Sequence, residues 1–143
     1  MTIRVQKAAF DPWQELASYQ ASLGPGAAGR YGATAVFVGN LRDFNQGQNV
    51  TAMTLEHYPG MTESYLEKIS AEARTRWELL DTLIIHRHGP LALGDPIVLV
   101  AVWSAHRDAA FAACRYLIDE LKTRAPFWKH EATSQGGRWV QPE

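Results

Sequence analysis

Only one cysteine, Cys114, occurs in the 143 residues, which excludes an internal disulfide and suits a reducing compartment. It falls inside a helical pattern, where a buried, inert thiol is expected rather than a nucleophile. No apolar run reaches the length of about 18 residues that a membrane-spanning helix needs. The opening "MTIRVQKAAF" also lacks the apolar core and small-residue cleavage site of a secretory signal. A cytoplasmic protein is expected. Excess charge of one sign is missing as well. The 14 basic and 15 acidic residues nearly cancel, leaving no whole-molecule field to draw the chain onto nucleic acid or an anionic membrane. Any anion site must therefore be local. Repeats, low-complexity segments and linkers are absent too, so residues 1–143 are expected to form one domain with a core that needs no staples.

Strands and helices alternate along the chain. After a short strand over about residues 3–6, Asp11 and Pro12 mark a helix start, with Trp13, Leu16, Ala17 and Tyr19 as its apolar stripe. "GPGAAG" at 24–29 matches a dinucleotide-loop spacing. It leads from a helix into a strand, however, and Pro25 removes a donor, so it reads as a connector. "GATAVFVGN" and "NVTAMTLEHY" predict a hairpin closed by the polar loop "LRDFNQGQ", with Gly47 in the turn. Thr62 reads as the cap of a second helix, in which Leu66, Ile69, Ala73 and Trp77 recur at helical spacing. "DTLIIHRHG" and "DPIVLVAVWSA" are strands, and the second is apolar on both faces, so it is expected at the sheet centre, covered twice. A third helix over about 106–123 ends at Pro126, whose ring excludes Ala125 from helical space. "PFWKHEAT" and "RWV" then bracket the turn "SQGG". The expected class is α+β, an antiparallel or mixed sheet packed by about three helices.

Two places carry unusual charge. At "VWSAHRDAAF" a buried strand feeds a helix that starts with His106 and Arg107, against the helix dipole. A bound phosphate or carboxylate would reverse that penalty; neutralisation of Arg107 by Asp108 is the plainer alternative. At "LKTRAPFWKHEA", Lys122 and Arg124 end the helix and Lys129 follows Pro126. On an extended chain Phe127, Lys129 and Glu131 share one face, and Trp128 and His130 the other. Lysines favour helix ends and snorkel over aromatics in any case. Two that converge would also disfavour each other's charge and so become able to exchange protons. Arg107 and Lys122 stand fifteen residues apart, about 22 Å along one helix. One pocket takes both only if they come from two chains of a homodimer. His86 and His88 alternate on a strand and could bind a metal, but no third ligand has suitable spacing, so structural histidines are expected.

The segments "TLEHYPGMTE", "IIHRHGPLALGD", "VWSAHRDAAF" and "LKTRAPFWKHEAT…RWV" closely resemble the large, catalytic subunit of molybdopterin synthase, over about residues 32–140. The resemblance implies an α+β fold with a hammerhead-like β element, a homodimeric core, no metal or cofactor of its own, and a small ubiquitin-like sulfur-carrier subunit. The carrier's C-terminal Gly-Gly thiocarboxylate would supply sulfur to cyclic pyranopterin monophosphate, building the molybdopterin dithiolene. By motif, Lys122 and Lys129 match the family's active-site lysines, Arg42 its loop arginine, and His106 and Arg107 its substrate-binding pair. Asn40, Leu41, His130 and Glu131 fall in segments that line the substrate pocket.

Overall fold

The all-apolar stretch of residues 97–103 dictates the architecture, because a strand buried on both faces needs strand neighbours on each side and cover above and below. The computed structural model describes residues 1–45, 48–133 and 136–140. In chain order the elements are β1 (Thr2–Gln6), α1 (Pro12–Ser22), β2 (Ala33–Asn40), β3 (Phe44–Asn45), β4 (Gln48–His57), α2 (Met61–Arg76), β5 (Asp81–Arg87), β6 (Gly89–Ala92), β7 (Pro96–Ser104), α3 (Arg107–Arg124), β8 (Phe127–Thr133) and β9 (Gly136–Val140). The first sheet has the order β1-β5-β7-β2, parallel at β1·β5 and otherwise antiparallel. The second has the order β3-β4-β8-β9, with β6 also paired to β4. The expected α+β class, three helices and mixed sheet are present.

Strand β7 is indeed central and covered twice. On one face Leu99, Ala101 and Trp103 pack with Leu83 and Ile85 against Leu16 and Tyr19 of α1. On the other, Val98, Val100 and Val102 join Ile84 and the apolar faces of α2 and α3. Each fully buried aliphatic side chain contributes about 1.5–3 kcal/mol. Helix α1 starts as its sequence predicts, with Asp11 accepting from the Trp13 and Gln14 amides at 3.0 and 3.4 Å. Trp13 itself lies outside the packed stripe, exposed. Among the described residues, no helix is long and apolar enough to cross a membrane.

Two local expectations are corrected. The strands β2 and β4 do not form a hairpin: β2 pairs with β7, and β4 lies in the other sheet between β8 and β6. The fully apolar β7 needs a neighbour opposite β5, and β2 fills that place, so the segment after Asn40 carries the chain from one sheet to the other. The local pairing is the two-residue β3 on β4, Phe44 opposite Asn49; Gln46 and Gly47, where the sequence suggested the turn, lie outside the described residues, as do Ser134 and Gln135. Helix α2 begins at Met61, two residues earlier than a cap at Thr62 would place it. Gly60, at φ 84°, is the cap residue, and its amide donates to Glu63 at 3.2 Å. Thr62 is instead buried in the first turn, accepting from the Tyr58 amide at 3.2 Å and donating to the Pro126 carbonyl at 3.3 Å.

Candidate functional site

The chain from Leu121 to Glu131 ends one helix and begins one strand, and that change of direction builds the site. Ala125 leaves helical space at φ −65°, ψ 141°, as the following proline demands. Strand β8 then runs along β4, with Lys129 opposite Leu55 and Phe127 opposite His57. Phe127, Lys129 and Glu131 share one face, which lines a cavity of about 450 Å³ between the two sheets and the end of α3. That volume suits one small-molecule guest. Trp128 and His130 take the opposite face, Trp128 edge-on to Tyr58 at 4.4 Å and His130 against Trp139 at 5.0 Å.

The rim is cationic and the floor apolar. Lys122 and Arg42 are exposed, Lys129 is half-buried, and Met53, Leu55 and Phe127 are buried. The Lys122 ammonium stands 5.8 Å from the ring centroid of Phe37 on β2. Its aromatic neighbour thus comes from a distant strand rather than from the Pro126-Phe127-Trp128 segment beside it in sequence. Arg124 takes no part in the cavity wall, since it pairs with Glu120 at 3.3 Å. Glu131 is 2% exposed and its Oε1 accepts from Arg138 Nε and a terminal nitrogen at 3.1 and 3.0 Å. It is a wall carboxylate held by its own ion pair.

Arg42 is aimed by a clip of backbone bonds. The register of β2 on β7 slips between Gly39 and Asn40. Gly39 is tight there, a Cβ placed on it meeting a Val98 methyl at 3.0 Å. Beyond the slip, the Leu41 amide donates to Asp95 at 2.9 Å, its carbonyl accepts from Gly94 at 2.8 Å, and the Asn40 amide group donates to the Gly94 carbonyl at 3.2 Å. The buried Arg87 holds that same turn, donating to Asp95 at 3.2 Å, to the Lys7 carbonyl at 3.0 and 3.2 Å, and to the Pro90 carbonyl at 3.3 Å. Leu41 is buried and turned into the cavity wall, so Arg42 is presented at the mouth.

Of the residues singled out in the sequence, Asn40, Leu41, Arg42, Lys122, Lys129 and Glu131 line one cavity. His130 does not reach it. His106 and Arg107 are exposed at the far end of α3, where His106 is the cap residue without a side-chain cap bond and, among the ion pairs of the described residues, none joins Arg107 to Asp108. Sequence reasoning missed His86, Phe37, Met53 and Leu55 as cavity residues. His86 is buried and stacked on Phe127 at 3.9 Å. Burial pushes its imidazole down to about 4, with Lys129 nearby adding to the shift against the Arg87 carbonyl bond. The described residues include no cluster of three or more side chains suited to a metal. Cys114 is buried, and burial pushes its thiol up to about 11, consistent with packing.

A second groove, about 550 Å³, runs between the open edge of β2 and the middle of α3. It is lined by Val36 and Phe37 on one side and Phe111, Cys114, Arg115 and Ile118 on the other, with Phe111 68% exposed. Phe37 belongs to both hollows.

The family model described as MoaE protein matches residues 5–124. The chain is 57% identical over 142 residues to the molybdopterin synthase catalytic subunit of Pseudomonas aeruginosa, covering 99% of this chain and 91% of that one. Among solved structures, it is similar to a molybdopterin biosynthesis MoaE protein from Burkholderia ambifaria, with TM-score 0.80 and 50% identity over 99% of this chain and 89% of that one. It is also similar to molybdopterin synthase from Staphylococcus aureus, with TM-score 0.82 and 31% identity over 96% and 95%.

Proposed function

The chain belongs to the MoaE protein family, and we propose that it is the catalytic, sulfur-transferring subunit of a molybdopterin synthase, acting in the cytoplasm as one domain over residues 1–143. Its partner is a small ubiquitin-like carrier ending in a Gly-Gly thiocarboxylate, and its substrate is cyclic pyranopterin monophosphate. The observation that carries this reading is the meeting of Lys122 and Lys129, from two different elements, at one cavity with an apolar floor.

The chemistry follows from what such a cavity favours. An inserted thiocarboxylate and a phosphorylated guest are both anions, and Arg42, Lys122 and Lys129 supply only donors and positive charge. The thiocarboxylate sulfur forms a bond to a carbon of the guest as a carbon–oxygen bond at that carbon breaks, the departing oxygen taking a proton from a lysine, and this leaves an acyl–sulfur link between carrier and product. Water then cleaves that link, and the carrier departs as a carboxylate. Lys122 serves the thiocarboxylate and the proton transfers of carbon–sulfur bond formation; Lys129 serves proton transfer and substrate charge. Two such transfers complete the dithiolene. Asn40, Leu41 and Glu131 shape the wall.

His106 and Arg107 enter from a second copy of the chain, to the pocket that Glu131 lines. The midpoint of α3 between Arg107 and Lys122 falls at Cys114 and Arg115, inside the groove beside the open β2 edge. A twofold axis passing there would lay two α3 helices antiparallel and bring the helix start of one protomer to the lysine end of the other. The exposed Phe111 and the continuity of the groove with the cavity through Phe37 support that placement.

Incubating the purified chain with thiocarboxylated carrier and cyclic pyranopterin monophosphate tests the reading. Dithiolene product is expected, at one carrier consumed per sulfur; consumption of carrier without product would overturn it.

A further inference from the structure

His86 stands on the cavity floor, and no step above uses it. It is 5% exposed, and its ring lies on Phe127 with planes 18° from parallel. Its Nδ1 is 2.7 Å from the Arg87 carbonyl oxygen. A carbonyl oxygen only accepts, so Nδ1 carries the hydrogen, and in a neutral ring Nε2 is left as a bare acceptor. Among the described residues no donor is paired with Nε2. With its imidazole pushed down to about 4, the ring is neutral at physiological pH. A neutral ring with Nδ1 so engaged offers Nε2 as a hydrogen-bond acceptor.

The other side-chain acceptors that line the cavity are Asn40, exposed at the end of β2, and Glu131. Arg42, Lys122 and Lys129 offer only donors, and one oxygen of Glu131 is held by Arg138. Exposure also grades inward, from Arg42 and Lys122 at the mouth, through Lys129, to His86, Met53 and Phe127. A guest that gives its anionic end to the cationic rim therefore lays its uncharged end on the floor, where Nε2 is a fixed, ring-locked acceptor.

We propose that His86 Nε2 accepts a hydrogen bond from a ring N–H or amino group at the heterocyclic end of the bound substrate, orienting it so that the carbon receiving sulfur faces the lysines. This deepens the reading under Proposed function and rests on it. His86 is a binding and orienting residue whose loss weakens substrate rather than carrier.

The test uses the full chain assembled with its carrier. His86→Phe keeps the stacking ring and removes the acceptor; His86→Gln returns an amide oxygen near the place of Nε2. His86→Phe is expected to raise KM for cyclic pyranopterin monophosphate about ten- to a hundredfold, with carrier Kd unchanged, and His86→Gln to recover most of the loss. An unchanged KM overturns the proposal, as does a loss that falls on carrier affinity, or an equal loss in both variants that tracks a lowered Tm. Nitrogen NMR of the wild-type imidazole supplies a second reading: Nε2 is expected to shift on adding cyclic pyranopterin monophosphate while Nδ1 stays protonated. An unmoved Nε2 in an enzyme that turns over sinks the His86 role alone. A shifted Nε2 in a protein that makes no dithiolene sinks the sulfur-transfer reading alone.

Discussion

The His86 imidazole on β5 lies 3.9 Å from the Phe127 ring on β8, at an interplanar angle of 18°. This stack joins the two sheets at the floor of the cavity. Phe127 follows Pro126, so one short segment stops the helix that bears Lys122, starts the strand that bears Lys129 and anchors both against the first sheet. The spacing of the two lysines is therefore a property of the seam between the sheets rather than of either element alone.

Acid should loosen that seam. Folding moves the His86 imidazole from 6.5 down to about 4, chiefly through burial. Between those values the unfolded chain binds the extra proton, so the stabilisation is complete above pH about 6.5 and is lost as pH falls towards 4. The loss is on the order of 3 kcal/mol. Melting temperatures from pH 7 to pH 4 check this, and His86→Phe is expected to flatten the decline within the window. An identical decline in the variant would assign it to other groups.

Thr62 ties the start of α2 to the carbonyl of Pro126, at the bend that sets the lysines. Thr62→Val removes that bond and leaves the Tyr58 amide without its acceptor. A loss of about 1–3 kcal/mol in denaturant unfolding is expected, with Thr62→Ser largely restoring it. Equal losses in both would point to the methyl group instead of the hydroxyl.

Lys122 separates chemistry from anion holding. Lys122→Ala is expected to lower turnover about 10²–10⁴-fold with carrier binding intact, the range of a lost proton-transfer group. Lys122→Arg keeps the charge but not an ammonium able to give up its proton, so it should recover little. Turnover near wild type in Lys122→Arg would leave Lys122 as an electrostatic clamp only.

The sequence made some of this plain and concealed the rest, for physical reasons. The run from Ile97 to Trp103 announced a central strand because burial on both faces leaves no polar alternation. Pro126 announced the helix end because its ring forbids the continuation. The alternation after it correctly set Phe127, Lys129 and Glu131 on one face. What stayed hidden was tertiary. The pairing of β2 with β7 is long-range, whereas local pattern suggested a hairpin with β4. Phe37 as the aromatic neighbour of Lys122 depends on that pairing. His86 read as a structural histidine, and nothing local in "IIHRHG" tells that its ring opens on a cavity. Its strand-mate Arg87 likewise gave no sign of holding the turn that presents Arg42.

The most direct measurement of the central claim, a site assembled from cations of two protomers, is subunit complementation. Arg107→Ala and Lys122→Ala are each expected to be inactive alone. After exchange of equal amounts, half the dimers are mixed and each mixed dimer regains one intact site, so about a quarter of wild-type activity is expected. No recovery, with subunit exchange demonstrated, would contradict the account.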